Sequence, residues 1–394
     1  MTSKNKSSSL LIITEHFYPS HGATAQLLVD LADGLASQGI KVTVLTSTPG
    51  ASRADYRIYR TPQIAFDYTS IISKLFKGLS FFCFALYFLI FNREASFDKV
   101  LIASNPPFIA LLIPLSKPFT RKDYYFLQQD LFPHSATLAG IVPSSGPLKT
   151  ALDALMHVSY TSTTKTIVLN NSMHKLLKSR YNIDSVVIHN WAVEASKATL
   201  SPNPLAKEWD LENKFIVQYS GNFGRLHEIL TILEASRLVH DKSICFLFIG
   251  RGSKLDQIEA YKHSYSADNI VIKNYVSRQH LPYSLSMAHI SLVSLIPGAD
   301  DAVAPSKLYG ILASGKPVIY IGSESSDISK LIYQYDCGYS IRPGDCVKLA
   351  EAITKAKLSN ESLKLMGKNS SRLYNERFDF DKALSRYMTT LNLT

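Results

Sequence analysis

Ala304 to Gly322 reads APSKLYGILASGKPVIYIG, and it holds a helix start, a short helix, a glycine stop and a strand. Pro305 and Ser306 suit the first helical positions, where proline lacks no needed donor and serine can cap exposed N–H groups. Leu308, Ile311 and Leu312 fall on one helical face. Gly315 ends the helix, and Pro317 follows where a helix cannot continue. Val318 to Ile321 then reads as a strand covered on both faces in a parallel sheet. A helix start carrying Ser306 and Lys307 suits an anion, because unpaired N–H groups and the helix dipole both favour negative charge. An ordinary αβ unit would use the same residues, so the stretch decides the fold and leaves the ligand open.

Units of the same kind run outward from it. Phe215 to Tyr219, Ile244 to Ile249, Ile270 to Ile272 and Ile290 to Leu295 read as strands separated by helical stretches. In the first half, Leu10 to Thr14, a helix from about Ala25 to Gln38 stopped by Gly39, and Lys41 to Thr46 form a βαβ unit. Lys99 to Ser104, Tyr124 to Gln128, Lys165 to Leu169 and Ser185 to Ile188 continue the series. Prolines 202 and 204 among mixed polar residues suit a linker. The expected organisation is therefore a doubly wound domain over 1–195, a linker over 196–213 and a second doubly wound domain over 214–370. The segment 371–394 has helical spacing and is expected to return to the first domain. Two such domains place a cleft between them.

Composition bounds the partners. The chain has 394 residues, 46% of them hydrophobic and 19% charged, enough to bury large cores. Cys83, Cys245, Cys337 and Cys346 are scattered with no zinc-type spacing, which suits a reducing compartment and argues against a structural metal. The apolar run after MTSKNKSSS is too short for a signal peptide, so a cytoplasmic chain is expected. A net charge of +10 calls for nucleic acid, an anionic membrane surface or a phosphorylated small molecule. Nucleic acid ranks last, for want of an arginine-rich tract or a recognised binding motif. Ile71 to Phe91, IISKLFKGLSFFCFALYFLIF, has too short an uninterrupted apolar part to span a bilayer. Lys74, Lys77 and Arg93 flank that part, so the segment is expected to lie against the membrane surface, with a phenylalanine-rich core helix as the competing account.

The chemistry concentrates in loops after strands. Gly221 to Arg225 (with Asn222 and Gly224), Gly250 to Lys254, the loop at Tyr275-Val276, and Ser306-Lys307-Leu308 would meet at the carboxyl ends of the second domain's strands. They bring Arg225, Lys254 and Lys307 around bare backbone amides, which is what a diphosphate needs. If the diphosphate departs, the same cations stabilise its growing charge. Neither GNFG nor GRG matches the dinucleotide fingerprint, and no P-loop is present. In the first domain, Gly22 opens the first helix. Asp130 and His134 stand in a loop beyond a strand end, where Asp130 either carries chemistry or merely caps a turn.

FYPSHGATAQLLVDLADGLASQGIKVTVLTSTPG, SNPPF, QQDLFPHSATLAG, VIHNWA, YSGNFGR and VAPSKLYGILASGKPVI occur in this order. The set resembles the bacterial family-4 retaining glycosyltransferases, in the branch that builds O-antigen, colanic acid and other exopolysaccharides. The resemblance implies a GT-B fold: two facing Rossmann-like domains with a C-terminal helix crossing back. It implies a nucleotide-diphosphate sugar donor held by the second domain, UDP being placed ahead of GDP on frequency alone, with no cofactor and no metal. The acceptor implied is a polyprenyl-diphosphate-linked saccharide bound by the first domain at the inner face of the cytoplasmic membrane, which the protein would meet peripherally. Gly22 would lie near the donor phosphates and Arg225 would be the phosphate-binding arginine.

Departures from the family pattern are definite. Leu230 stands where relatives have a lysine, which leaves Lys254 or Lys307 to replace it. Ala302 and Gly310 stand where relatives have two glutamates, and His134 where many have an acidic residue. Asp130 and His134 are the candidate polar contacts to sugar or acceptor, and Arg225 and Lys254 the clamps on the leaving group. A nucleotide-sugar epimerase of the same shape and a non-catalytic sugar- or lipid-binding partner remain as alternatives.

Overall fold

The computed structural model describes residues 8–20, 22–51, 53, 55–62, 71–92, 96–193 and 202–393. Arg93, the side chain of Lys74 and part of the expected linker fall outside them. The chain divides into two units: Met1–His189 with Asp381–Thr394, and Asn190–Phe380.

In the first unit a strand–helix–strand start, β1 (Ser9–Thr14), α1 (Ala23–Ser37) and β2 (Lys41–Thr46), is followed by β3 (Arg57–Arg60) and α2 (Ile71–Phe91). Then come β4 (Lys99–Ala103), α3 (Leu112–Thr120), β5 (Asp123–Gln128), α4 (His134–Leu138), α5 (Pro147–Ser162), β6 (Lys165–Val168), α6 (Asn171–Tyr181) and β7 (Ser185–Val187). The strands form one parallel sheet in the order β3-β2-β1-β4-β5-β6-β7. SLLIIT of β1 is buried throughout, as a central strand covered on both faces must be. β3, RIYR, escapes a sequence reading because it is a half-buried edge strand with no apolar run. α2 buries Phe81, Ala85, Phe88 and Leu89, while Phe76, Leu79, Tyr87 and Phe91 are half or more exposed. The segment is thus a core helix on one side and an apolar surface on the other. No helix among the described residues is long and apolar enough to cross a membrane.

The second unit contains α7 (Pro204–Glu208), β8 (Phe215–Ser220), α8 (Leu230–Leu238), β9 (Ile244–Ile249), α9 (Leu255–Ser264), β10 (Ile270–Lys273), α10 (Leu281–Met287) and β11 (Ile290–Ser294). It continues through α11 (Lys307–Ala313), β12 (Val318–Ile321), α12 (Asp327–Tyr335), β13 (Gly338–Ile341), α13 (Cys346–Leu358) and α14 (Asn360–Arg377). Its sheet is parallel, in the order β10-β9-β8-β11-β12-β13. Leu308, Ile311 and Leu312 of α11 are buried as their spacing requires. Ser306 precedes α11 but its side chain makes no capping bond, contrary to the expectation. Gly315 stops the helix at φ +63°, and a Cβ there would lie 2.9 Å from Ser371 Oγ of α14, so both the backbone and the neighbouring helix favour glycine. The 371–394 segment is divided: its first residues complete α14, and α15 (Phe380–Thr390) with the residues after it belongs to the first unit, where Tyr387, Leu391 and Leu393 are buried.

Candidate functional site

Strand order reverses between β8 and β11, and loops leaving a parallel sheet at such a point diverge and open a crevice. The loop after β8 threads through the loop after β9. Gly221 N–H donates to the Ile249 carbonyl (2.8 Å), Phe223 N–H to the Arg251 carbonyl (2.9 Å) and Lys254 N–H to the Phe223 carbonyl (2.9 Å). The glycines make this possible. A Cβ on Gly250 would stand 2.0 Å from the Gly221 carbonyl oxygen, and one on Gly252 2.6 Å from Phe223 N and Asn222 Oδ1. Tyr275 closes over Gly250 from the loop after β10, its ring 3.3 Å from that same Cβ position. Val276 packs partly buried against the core beside it.

Lys307, at the start of α11, reaches back over this loop. Its Nζ lies 3.6 Å from the centroid of the Tyr219 ring, and a Cβ on Gly221 would sit 3.3 Å from its Cε. The Nζ is buried and has no hydrogen-bond partner. Burial holds its ammonium well below the usual lysine range. Lys254 behaves differently: its Nζ donates to the His227 carbonyl (2.6 Å), and burial lowers its pKa, with Glu228 opposing. His227 is held down to about 4 by burial, with Lys307 and Lys254 adding to the effect and the Ser294 carbonyl opposing it. Its Nδ1 bonds that carbonyl at 2.9 Å, so the imidazole is neutral and fixed between β8 and β11. Arg225, Asn222 and Ser306 are exposed and Gly224 half-buried. Leu230 is exposed at the first residue of α8, Ala302 is buried, and a Cβ on Gly310 would meet nothing nearer than Leu285 Cδ1 at 3.9 Å.

The first unit has its own reversal, between β1 and β4. Glu15 follows β1 there, its carbonyl held by the hydroxyls of Thr46, Ser47 and Thr48 and its N–H by the Asn105 carbonyl. Its carboxylate, 11% exposed, lies 4.0 Å from Lys77 Nζ of α2 and 3.9 Å from His16 Nε2. Gly22 precedes α1 with φ −65°, and its nearest neighbour to a Cβ would be Ser20 Oγ at 3.9 Å. Neither its backbone nor its surroundings require glycine.

After β5, the Asp130 carbonyl accepts from Gln128 Nε2 (2.5 Å) and Phe132 N–H (3.0 Å), and Gln128 is held in turn by the Tyr160 hydroxyl (3.2 Å). The backbone carbonyl of Asp130, and not its carboxylate, therefore makes the turn. Although this side chain keeps contact with solvent, desolvation lifts its pKa to about 6. His134 opens α4, partly buried. A carboxyl whose folded pKa is raised favours the fold below its unfolded value and loses that contribution as pH climbs through 6. Asp130→Asn should therefore raise the melting temperature at pH 7.5, and the gain should vanish toward pH 4. Equal melting curves of the two proteins across that range would show that the carboxyl is not desolvated.

Tyr219, His227 and Glu15 are absent from the sequence-derived site. Tyr219 sits inside the quoted YSGNFGR and His227 two residues past Arg225. No spacing rule marks a residue whose importance comes from the strand next to it. Among the described residues no group of three or more His, Cys, Asp or Glu side chains could hold a metal ion.

Residues 205–373 match the family model described as glycosyl transferases group 1. The chain is 29% identical over 271 residues to WbjE of Pseudomonas aeruginosa, named as a glycosyltransferase, covering 66% of each chain. It is 24% identical over 350 residues to WcaI of Escherichia coli K12, named for colanic acid biosynthesis, covering 82% of this chain and 85% of that one. Among solved structures, Anabaena HepE in complex with UDP-glucose superposes with a TM-score of 0.72 at 11% identity, covering 98% of this chain and all of the other, which shows a shared fold.

Proposed function

Because this chain is a glycosyltransferase of the GT-B fold, related to bacterial enzymes of O-antigen, colanic acid and lipopolysaccharide synthesis, we propose that it moves a sugar from a nucleotide-diphosphate sugar to a saccharide hydroxyl, with retention at the anomeric carbon. The observation that carries the reading is the buried amino group of Lys307, without a hydrogen-bond partner, over a glycine loop at the β8/β11 reversal. A buried lysine nitrogen without a partner is costly to charge, and a diphosphate would supply the missing partner. The UDP-glucose complex of HepE, which shares the fold, is consistent with such a donor.

In this reading the bond from the anomeric carbon to the diphosphate oxygen breaks and a bond to the acceptor oxygen forms. The acceptor's proton leaves on the nucleoside diphosphate. Arg225 and a lysine meet the charge that grows on the departing oxygens, while the N–H groups of Gly221, Phe223 and Gly250 are already bonded to backbone carbonyls. Gly22 gives an unobstructed backbone approach. The acceptor is received on the first unit, where Asp130, His134 and Glu15 offer polar groups at strand ends. A polyprenyl-diphosphate carrier fits the apolar outer face of α2, which would rest on the inner surface of the cytoplasmic membrane with Lys77 near lipid phosphates.

The test is a panel of UDP- and GDP-sugars, scored by thermal shift and then by donor hydrolysis without acceptor. Stabilisation by at least one sugar nucleotide, with slow release of its sugar, is expected. A shift without turnover would favour a binding protein, and no response to any of them would refute the reading. For the membrane surface, replacing Phe76, Leu79, Tyr87 and Phe91 together by serine should abolish co-sedimentation with phosphatidylglycerol vesicles. Unchanged sedimentation would remove the membrane from the account.

A further inference from the structure

We propose that Lys307, and not Lys254, is the lysine that meets the donor diphosphate, and that it does so by taking up a proton as the diphosphate arrives. The inference rests on the nucleotide-sugar reading above and deepens it. The two lysines left to fill the place of Leu230 are told apart by their bonds. The Lys254 ammonium is committed to the His227 carbonyl at 2.6 Å, where it ties the β9 loop to the β8 loop. The Lys307 Nζ is buried without a hydrogen-bond partner and lies against the bare backbone of Gly221. One lysine is a structural tie and the other is a vacant donor.

The groups around Lys307 do not help it hold a charge. From β8 it faces the Tyr219 ring, whose hydroxyl is held un-ionised by burial. From the β8 loop it faces His227, which is neutral and bonded to the Ser294 carbonyl of β11. Tyr275 stands beyond Gly250, also shifted away from ionisation, and Lys254 is a like charge. Asp300, a few residues before α11, accepts from the Tyr320 hydroxyl. The face of the Tyr219 ring offsets part of the loss of water, and desolvation dominates. A neutral amine is the form that such a pocket stores. Arrival of two negative phosphates reverses the balance, and the amine takes a proton from solvent to become the charged donor that a diphosphate binds. Sugar nucleotides are diphosphate diesters with no exchangeable phosphate proton near neutral pH, so any proton bound must come to rest on the protein.

The experiment is isothermal titration calorimetry of the full chain with UDP-glucose and GDP-mannose at pH 8, in buffers of different ionisation enthalpy. The dependence of the observed heat on the buffer gives the protons taken up. Expected are close to one proton per donor in the wild type, close to none in Lys307→Met, and close to one in Lys254→Met. Lys307→Met should also weaken binding about 10- to 100-fold, the worth of one charged hydrogen bond. Lys307→Gln is carried alongside in case the methionine variant melts early. Donor binding without proton uptake, or uptake that persists when Lys307 is replaced, overturns the inference while leaving the transferase reading intact. Failure of both donors to bind overturns the inference together with that reading.

Discussion

Arg225→Ala should lower turnover with the sugar nucleotide by about 100- to 1,000-fold, which is roughly 2.7–4 kcal/mol of activation free energy, the scale of one oriented donor to a growing negative charge. Arg225 is exposed on the β8 loop, so its removal opens no cavity and the melting temperature should stay within about a degree of wild type. The contrast between the two readouts is the point of the experiment. Loss of a guanidinium that stabilises the ground state and the departing diphosphate equally would raise KM and leave kcat unchanged. Wild-type turnover in the purified variant would remove Arg225 from the mechanism altogether.

Gly250→Val should cost the second unit both stability and donor binding. Gly250 has φ +141°, and a side chain there would drive its Cβ to 2.0 Å from the Gly221 carbonyl oxygen, backbone against backbone. The strain alone is worth about 1–3 kcal/mol, or roughly 2–12 °C in melting temperature for a unit of this size. Relief of the clash must separate the β8 and β9 loops, which moves Gly221 away from Lys307. Donor affinity should therefore fall at least about tenfold, more than the stability loss would explain by itself. Gly39→Ala is the control. Gly39 also has positive φ, at +79°, but a Cβ there meets nothing within 4 Å. It should lose stability and keep donor affinity. Equal donor affinity in Gly250→Val and wild type would show that the interlocked loops do not form the donor site.

The departures from the family pattern acquire physical content in this arrangement. Leu230 is exposed at the start of α8, so the position of the absent lysine is a surface that carries no buried charge. Ala302 is buried and a Cβ on Gly310 would meet Leu285 Cδ1 at 3.9 Å, and neither position holds a polar group for a sugar hydroxyl or a ribose. In the proposed reading, a cation on α11 and one on the β8 loop would meet the diphosphate.

The amino-acid sequence by itself determined the two parallel α/β sheets. Runs such as LLIIT and ICFLFI read as strands covered on both faces, and glycines at 39 and 315 end helices at positive φ, where glycine is favoured. It also pointed to the loops at the carboxyl ends of the strands, because topology places those loops on one edge of a parallel sheet. The edge strands RIYR and GYSI were not legible, since half-buried strands carry no continuous apolar signal. Nor was the difference between Lys254 and Lys307, which look alike in sequence. Only the tertiary structure turned one lysine toward a backbone carbonyl and left the other buried over an aromatic ring with no partner. Electrostatic consequence depends on what surrounds a charge in space, and those surroundings come from strands and loops far apart along the chain.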